Sequence, residues 1–134
     1  MPIKLTFEEV CEVVMNHCRE RKWDQTNTPR SLAISLSLEA NELLEYYQWQ
    51  DETFGTTTDL AGELADIFIY AIQFAHKNEI DIVGAIQAKI EAQAEKYPAQ
   101  LFQIEDPNER SKAWLAAKRR YKRNSPSNRE RYGE

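Results

Sequence analysis

Apolar residues recur at intervals of three and four along most of this chain, a period that predicts helices and no convincing strand. Thr6-Phe7-Glu8-Glu9 is a capping box opening a first helix through about Arg21, with Val10, Val13, Val14 and Cys18 on its buried side. Thr28 followed by Pro29 gives an N-cap and a first-turn proline to a second helix, which runs to about Trp49 and stops in the polar segment DETFGTTT. A third helix spans about Asp59 to Asn78, and the short connector makes the second and third antiparallel neighbours. Asp81 caps a fourth helix that Pro98 terminates. Asp106-Pro107 starts a fifth, on which Trp114 and Leu115 suggest docking onto the core. The expected fold class is all-α, with residues 1–105 as one domain and residues 106–134 as a C-terminal helix and basic tail.

Polar positions on two of these helices depart from the usual single solvent face. On the second helix Arg30, Ser37, Asn41 and Gln48 already form a polar stripe, at about 100° per residue. Glu39 and Glu42 occupy another sector, flanked by Leu32, Leu36 and Leu43 on one side and by Ile34 and Leu38 on the other. The third helix is apolar around most of its circumference, through Leu60, Leu64, Ile67, Phe68, Ile69, Ile72 and Phe74, and such a helix belongs in an interior. Its polar line is Asp59, Glu63, Asp66, Tyr70, Gln73 and Lys77.

Each helix thus carries two acids three residues apart, Glu39-x-x-Glu42 and Glu63-x-x-Asp66, so each pair points its carboxylates to one side. Packed face to face, the helices bring four acids to one point. At about 5 Å and an effective dielectric of about 20, each like-charged pair costs roughly 3 kcal/mol unless a cation neutralises it. An all-oxygen set favours Mg²⁺, with Mn²⁺ as a substitute, over zinc. Neither His17 nor His76 has a glutamate three residues before it, which separates the pattern from a di-iron carboxylate bundle. Magnesium commonly binds its substrate through phosphates, so the pattern points to phosphate chemistry.

Composition sharpens this picture in three ways. The 134 residues suit one domain, small enough that self-association is expected. The formal charge of −5 conceals a division: residues 1–106 hold 8 basic and 19 acidic side chains, whereas residues 107–134 hold 9 and 3. The tail KRRYKRNSPSNRERYGE interleaves Arg and Lys with tyrosine, which makes nucleic acid or the acidic face of a neighbouring subunit a candidate partner. No run of 18 apolar residues occurs and MPIKLTFEE lacks the features of a signal peptide, so the expectation is a cytoplasmic, soluble protein without membrane contact. Cys11 and Cys18 lie two helical turns apart, about 10 Å along the axis, too far to bridge, and are expected as reduced structural thiols.

Trp49 follows Glu42 by seven residues and Tyr70 follows Glu63 by seven, so on continuous helices each ring lies two turns along the face of its acids. A nucleobase stacking on such a ring gains roughly 1 to 3 kcal/mol. Lys89 and Lys96 share a face of the fourth helix and are candidates to neutralise phosphate.

The segments RKWDQTNTPRSLAISLSLEANELLEYYQW, ELADIFIY and AKIEAQAEKYP resemble, in order and from about Arg21 to Pro98, the MazG-like all-α nucleoside triphosphate pyrophosphohydrolases, particularly the dCTP pyrophosphatase branch. The resemblance implies a four-helix MazG-like bundle, here with an additional C-terminal helix, assembled as a homodimer or homotetramer. It implies that Glu39, Glu42, Glu63 and Asp66 are Mg²⁺ ligands and that Trp23, Trp49 and Tyr70 surround base and sugar. Lys89 and the Lys96-Tyr97 pair match a helix whose polar side chains reach phosphates or the neighbouring subunit. Asn27 stands where dCTP-preferring relatives usually place a histidine, and Gln93 where an asparagine is common; both stay in the substrate-binding set, with the base preference altered more than the reaction.

The implied activity is hydrolysis of a nucleoside triphosphate, a pyrimidine such as dCTP, between the α and β phosphorus. Chemistry of this kind depends on charge neutralisation and positioning, so no nucleophilic Ser or Cys is required. Glu45, one turn beyond Glu42, is a candidate for the carboxylate that orients water. Two alternatives stand beside it: the same reaction on dUTP, modified nucleotides or phosphoribosyl-ATP, and a non-catalytic helical module that binds nucleotide or nucleic acid.

Overall fold

The computed structural model describes residues 3–124, so the basic tail from residue 125 onward lies outside the described residues. Helices are the only regular secondary structure among those residues, which makes the fold all-α. The expected capping box at Thr6 is present: Thr6 N–H donates to Glu9 Oε2 at 2.7 Å and Glu9 N–H to Thr6 Oγ1 at 3.2 Å, opening α1 (Phe7–Glu20). A four-residue helix absent from the sequence reading, α2 (Trp23–Thr26), follows Lys22, whose φ of 58° lies in the left-handed region. Thr28 and Ser31 cap each other reciprocally at the start of α3 (Pro29–Glu45), and Thr56 and Asp59 do the same for α4 (Thr57–Lys77). These caps satisfy backbone donors that the first helical turn would otherwise leave open. Next come α5 (Ile82–Lys96), a 3-10 helix at Ala99–Gln103 and α6 (Pro107–Asn124). Asp106 Oδ1 accepts from the N–H groups of Asn108 and Glu109 at 2.7 and 3.1 Å, which fixes the start of α6 where the sequence places it.

The helix expected to reach Trp49 ends four residues sooner, at Glu45. Beyond it the chain folds back on Tyr46: Phe54 packs its ring 5.4 Å from that of Tyr46, and a Cβ on Gly55 would run into the same ring. The buried face of the first helix matches expectation at Val14 and Cys18 and departs from it at Val10 and Val13. Met15 and Cys18 are its buried residues, with Phe7, Cys11 and Val14 packed beside them, whereas Val10 is exposed and Val13 is 55 % exposed. The stripe at 7, 11, 14, 15 and 18 follows the helical repeat onto Ile72 of α4, and Phe7 meets Phe68 edge-on at 6.5 Å.

Two compact units make up the chain, Met1–Val83 and Gly84–Glu134. In the first, α3 and α4 are the most extensively packed pair and run antiparallel: Asn27, before α3, bonds to Gln73 late in α4, while Tyr46, after α3, feels the charges of Asp59 and Glu63 early in α4. Contrary to the expectation for so apolar a helix, α4 is not interior all round; Phe68 is 47 % exposed and Leu64 similarly so, as is Leu38 of α3 at 59 %. Both cysteines are free, and burial pushes each thiol up. In the second unit Trp114 stacks on Tyr97 at 6.0 Å, Lys96 Nζ lies over the rings of Tyr97 and Tyr121 at 4.9 and 4.5 Å, and Leu115 remains exposed. No helix among the described residues is long and apolar enough to cross a membrane.

Candidate metal centre and the cavity beside it

Antiparallel packing of α3 on α4 faces the two acidic pairs toward each other. One carboxylate oxygen from each of Glu39, Glu63 and Asp66 lies within 4.8 Å of the other two. Glu42 adjoins both Glu39 and Glu63, and after burial its carboxyl is the strongest influence raising the pKa of each. All four acids expected at one point are therefore neighbours. Glu39 and Glu63 are half-buried, whereas Glu42 and Asp66 are exposed, so the cluster is open to solvent beside both of those acids.

The electrostatics follow from that crowding. Burial, then the Glu42 carboxyl, then Asp66 and Glu63, push Glu39 up to about 6. Glu63 is raised by burial, Glu42, Asp66 and Glu45. The field extends to the Tyr46 phenol, raised by burial and by Asp59, Glu63, Glu45 and Glu42. Neither ion pair found among the described residues, Arg21 with Glu20 or Lys112 with Glu109, includes one of the four acids. Glu39 Oε2 is moreover buried without a hydrogen-bond partner. A buried, unpartnered carboxylate oxygen facing further carboxylates costs free energy until a cation meets it, so these residues fit a hard divalent ion bound through oxygen.

Asp66 also lines a cavity of about 600 Å³, within the range of small-ligand sites. Along α4 its wall is Asp66, Ile69, Tyr70 and Gln73, one helical stripe; α3 contributes Ser31 and Ser35, and α1 contributes Val13, Val14 and His17. Trp23 and Asn27 complete it from α2 and its C-cap. Trp23 is held by His17 edge-on at 5.6 Å and by the Arg21 guanidinium 5.8 Å from its ring. Opposite, Asn27 Nδ2 donates to Gln73 Oε1 at 3.1 Å.

Of the residues expected to meet substrate, Trp23, Asn27 and Tyr70 share this cavity. Trp49 lies in the turn after α3 and is 87 % exposed, so the helical-face argument that paired it with Glu42 does not apply. Glu45 is the exposed last residue of α3, and its charge reaches Glu63. Lys89, Gln93, Lys96 and Tyr97 belong to the second unit, where Lys96 is occupied by its two aromatic neighbours. His17, Ser31, Ser35 and Gln73 had no assigned role. Spacing alone could have found three of them, since Ser31, Ser35 and Glu39 step by four along α3 and Gln73 lies seven after Asp66.

The chain resembles known proteins in sequence and fold. Residues 34–112 match the MazG-like family. Curated relatives include dCTP pyrophosphatase 1 of Bos taurus, 32% identical over 104 residues that cover 72% of this chain and 62% of that protein. Its counterpart in Mus musculus is 29% identical over 104 residues, covering 72% and 61%. The chain thus spans about three fifths of the length of these relatives. Among solved structures, a pyrophosphatase from Archaeoglobus fulgidus aligns with a TM-score of 0.63 at 28% identity, covering 73% of this chain and 97% of that one.

Proposed function

The chain belongs to the MazG-like family, and we propose that it hydrolyses a (deoxy)nucleoside triphosphate, a pyrimidine such as dCTP, to the monophosphate and pyrophosphate. One observation carries this reading: Asp66 belongs both to the carboxylate cluster and to the wall of a cavity lined by Trp23, Tyr70, Asn27 and Gln73. Phosphates and a flat heterocycle are the two halves of such a substrate, and cluster and cavity suit one each.

Glu39, Glu42, Glu63 and Asp66 would hold Mg²⁺, or Mn²⁺ in its place, which when bound supplies positive charge against phosphate oxygens and acidifies water. Trp23 and Tyr70 sandwich base and sugar and exclude water from that end of the cavity. Water adds to the α-phosphorus, the bond to the bridging oxygen breaks, and pyrophosphate leaves with the electron pair. Glu45, whose charge already reaches Glu63, orients that water and takes its proton. Residues 1–105 form the catalytic domain in this reading, with residues 106–134 as an appendage. The exposed apolar positions Leu38, Leu64 and Phe68 support self-association as a homodimer or homotetramer.

Pyrophosphate release should be measured across a panel of standard and modified triphosphates, with and without MgCl₂. We expect Mg²⁺-dependent turnover with monophosphate as co-product. Binding without turnover of any nucleotide would leave only a helical binding module.

A further inference from the structure

We infer that Gln73, fixed by Asn27, is the residue that selects the base, and that it favours a ring carrying an amino group beside an unprotonated nitrogen, the edge of cytosine. This rests on the nucleotide reading above and goes beyond it by naming the selecting group.

Gln73 is 5 % exposed on a helix turn flanked by the buried Ile72 and Ala75. A buried primary amide at such a position is costly unless its donors and acceptors are met. Asn27 meets one of them, donating from Nδ2 to Gln73 Oε1 at 3.1 Å across 46 residues of sequence. That bond decides what remains. With Oε1 engaged, the Gln73 amide turns its Nε2 donors to a ligand; with Nδ2 engaged, Asn27 keeps Oδ1 as an acceptor. Both residues line the cavity, and on this inference Gln73 Nε2 and Asn27 Oδ1 are the donor and the acceptor that they offer to a ligand there. With the 4-position of the ring beside Asn27 and its N3 beside Gln73, the direction this inference assigns, cytosine matches that order, its amino group donating to Asn27 Oδ1 and its ring nitrogen accepting from Gln73 Nε2. Uracil presents the reverse, a carbonyl and a ring N–H, at the same two places. Gln73 also lies two helical turns, about 10 Å, from Asp66, a span suited to a nucleotide with phosphates at the acids and base at the amides.

The test compares dCTP with dUTP, which differ only at that edge, by kcat/KM for wild type, Gln73→Leu and Gln73→Glu. Wild type should prefer dCTP by tenfold or more, since a matched pair of hydrogen bonds to a base edge is commonly worth that much. Gln73→Leu should bring the ratio toward one. Gln73→Glu keeps the shape and the bond from Asn27 but replaces the donor by an acceptor, so it should move preference toward dUTP. It also carries the test should the leucine variant fold poorly. An equal loss on both nucleotides in both variants, or a wild-type preference for dUTP, would overturn the inference. If wild type turns over no triphosphate, the reaction fails but base selection is still decided by quenching of tryptophan fluorescence, to which the cavity-lining Trp23 contributes. Quenching by dCMP over dUMP that disappears in Gln73→Leu supports it, and equal quenching by both refutes it.

Discussion

Replacing Glu39 by glutamine should make the metal-free protein more stable and the magnesium-bound protein less so. Glu39 is pushed up to about 6 from the ordinary 4.5, so above pH 6 its ionised form is disfavoured by about 1.5 pKa units. At about 1.4 kcal/mol per unit that is a ceiling of roughly 2 kcal/mol. Glu39 is only half-buried and solvent screens the open side of the cluster, so about 1 kcal/mol is the working figure. For a chain of 134 residues this corresponds to a Tm increase of roughly 3 to 5 °C for Glu39→Gln in chelator at pH 8. The folded pKa lies above the unfolded one, so the native state takes up its proton first as pH falls. Metal-free wild type therefore gains stability between about pH 6 and 4.5, and the advantage of the variant shrinks to nothing across that window. Magnesium at ten times its dissociation constant stabilises wild type by about 1.4 kcal/mol and should stabilise the variant much less, so the order of melting temperatures inverts. Thermal melts of both proteins at pH 8 and pH 4.5, in EDTA and in MgCl₂, decide the matter. A variant that melts below wild type in EDTA at pH 8, or that gains as much from magnesium, would show that Glu39 is not a strained ligand.

Two further outcomes follow from the fold. Ile72→Ala removes a side chain buried against Met15 and Cys18 and should cost about 2 to 4 kcal/mol in urea unfolding; a loss below about 1 kcal/mol would mean that this cluster is not the core of the first unit. Glu9→Ala breaks the capping box of α1, and because the Thr6 backbone and hydroxyl hold the Glu9 carboxyl below its ordinary range, its contribution is present above pH 4.5 and lost as pH falls through the depressed value. The variant should melt below wild type at pH 7 and with it at pH 2.5, and a difference independent of pH would exclude the charged hydrogen bond as its cause.

How much of this was legible without coordinates depends on the range over which each signal acts. Caps are local, and Thr6, Thr28 and Asp106 mark helix starts in the structure as they do in the sequence. Helix ends and faces answer to distant partners. Nothing between Tyr46 and Trp49 breaks a helix by composition; the break comes from the Phe54–Gly55 segment closing on the Tyr46 ring, a contact no periodicity encodes. The face of α1 is legible only in part for the same reason: Val14 and Cys18 lie on it as expected, but Val10 and Val13 are as apolar as Met15, and only the position of Ile72 selects between them.

The site divides along the same line. Four acids repeat a spacing on two helices, and their wheel positions already require inward-facing charge, so the cluster could be anticipated from sequence. The adjoining cavity could be anticipated only in part: the family resemblance supplies Trp23, Asn27 and Tyr70, whereas their assembly with Gln73 could not be read, because α2 gives no periodic signal in four residues and enters through a left-handed Lys22. Without α2 there is no reason to set Asn27 against Gln73. Asn27 could be seen as a departure from a histidine, but its partner is 46 residues away and was counted only among the polar positions of α4. An asparagine that donates to the Gln73 oxygen fixes the orientation of the amide beside it. On the base-selection proposal, specificity in this chain lies in a pair of amides and not in the single substituted residue.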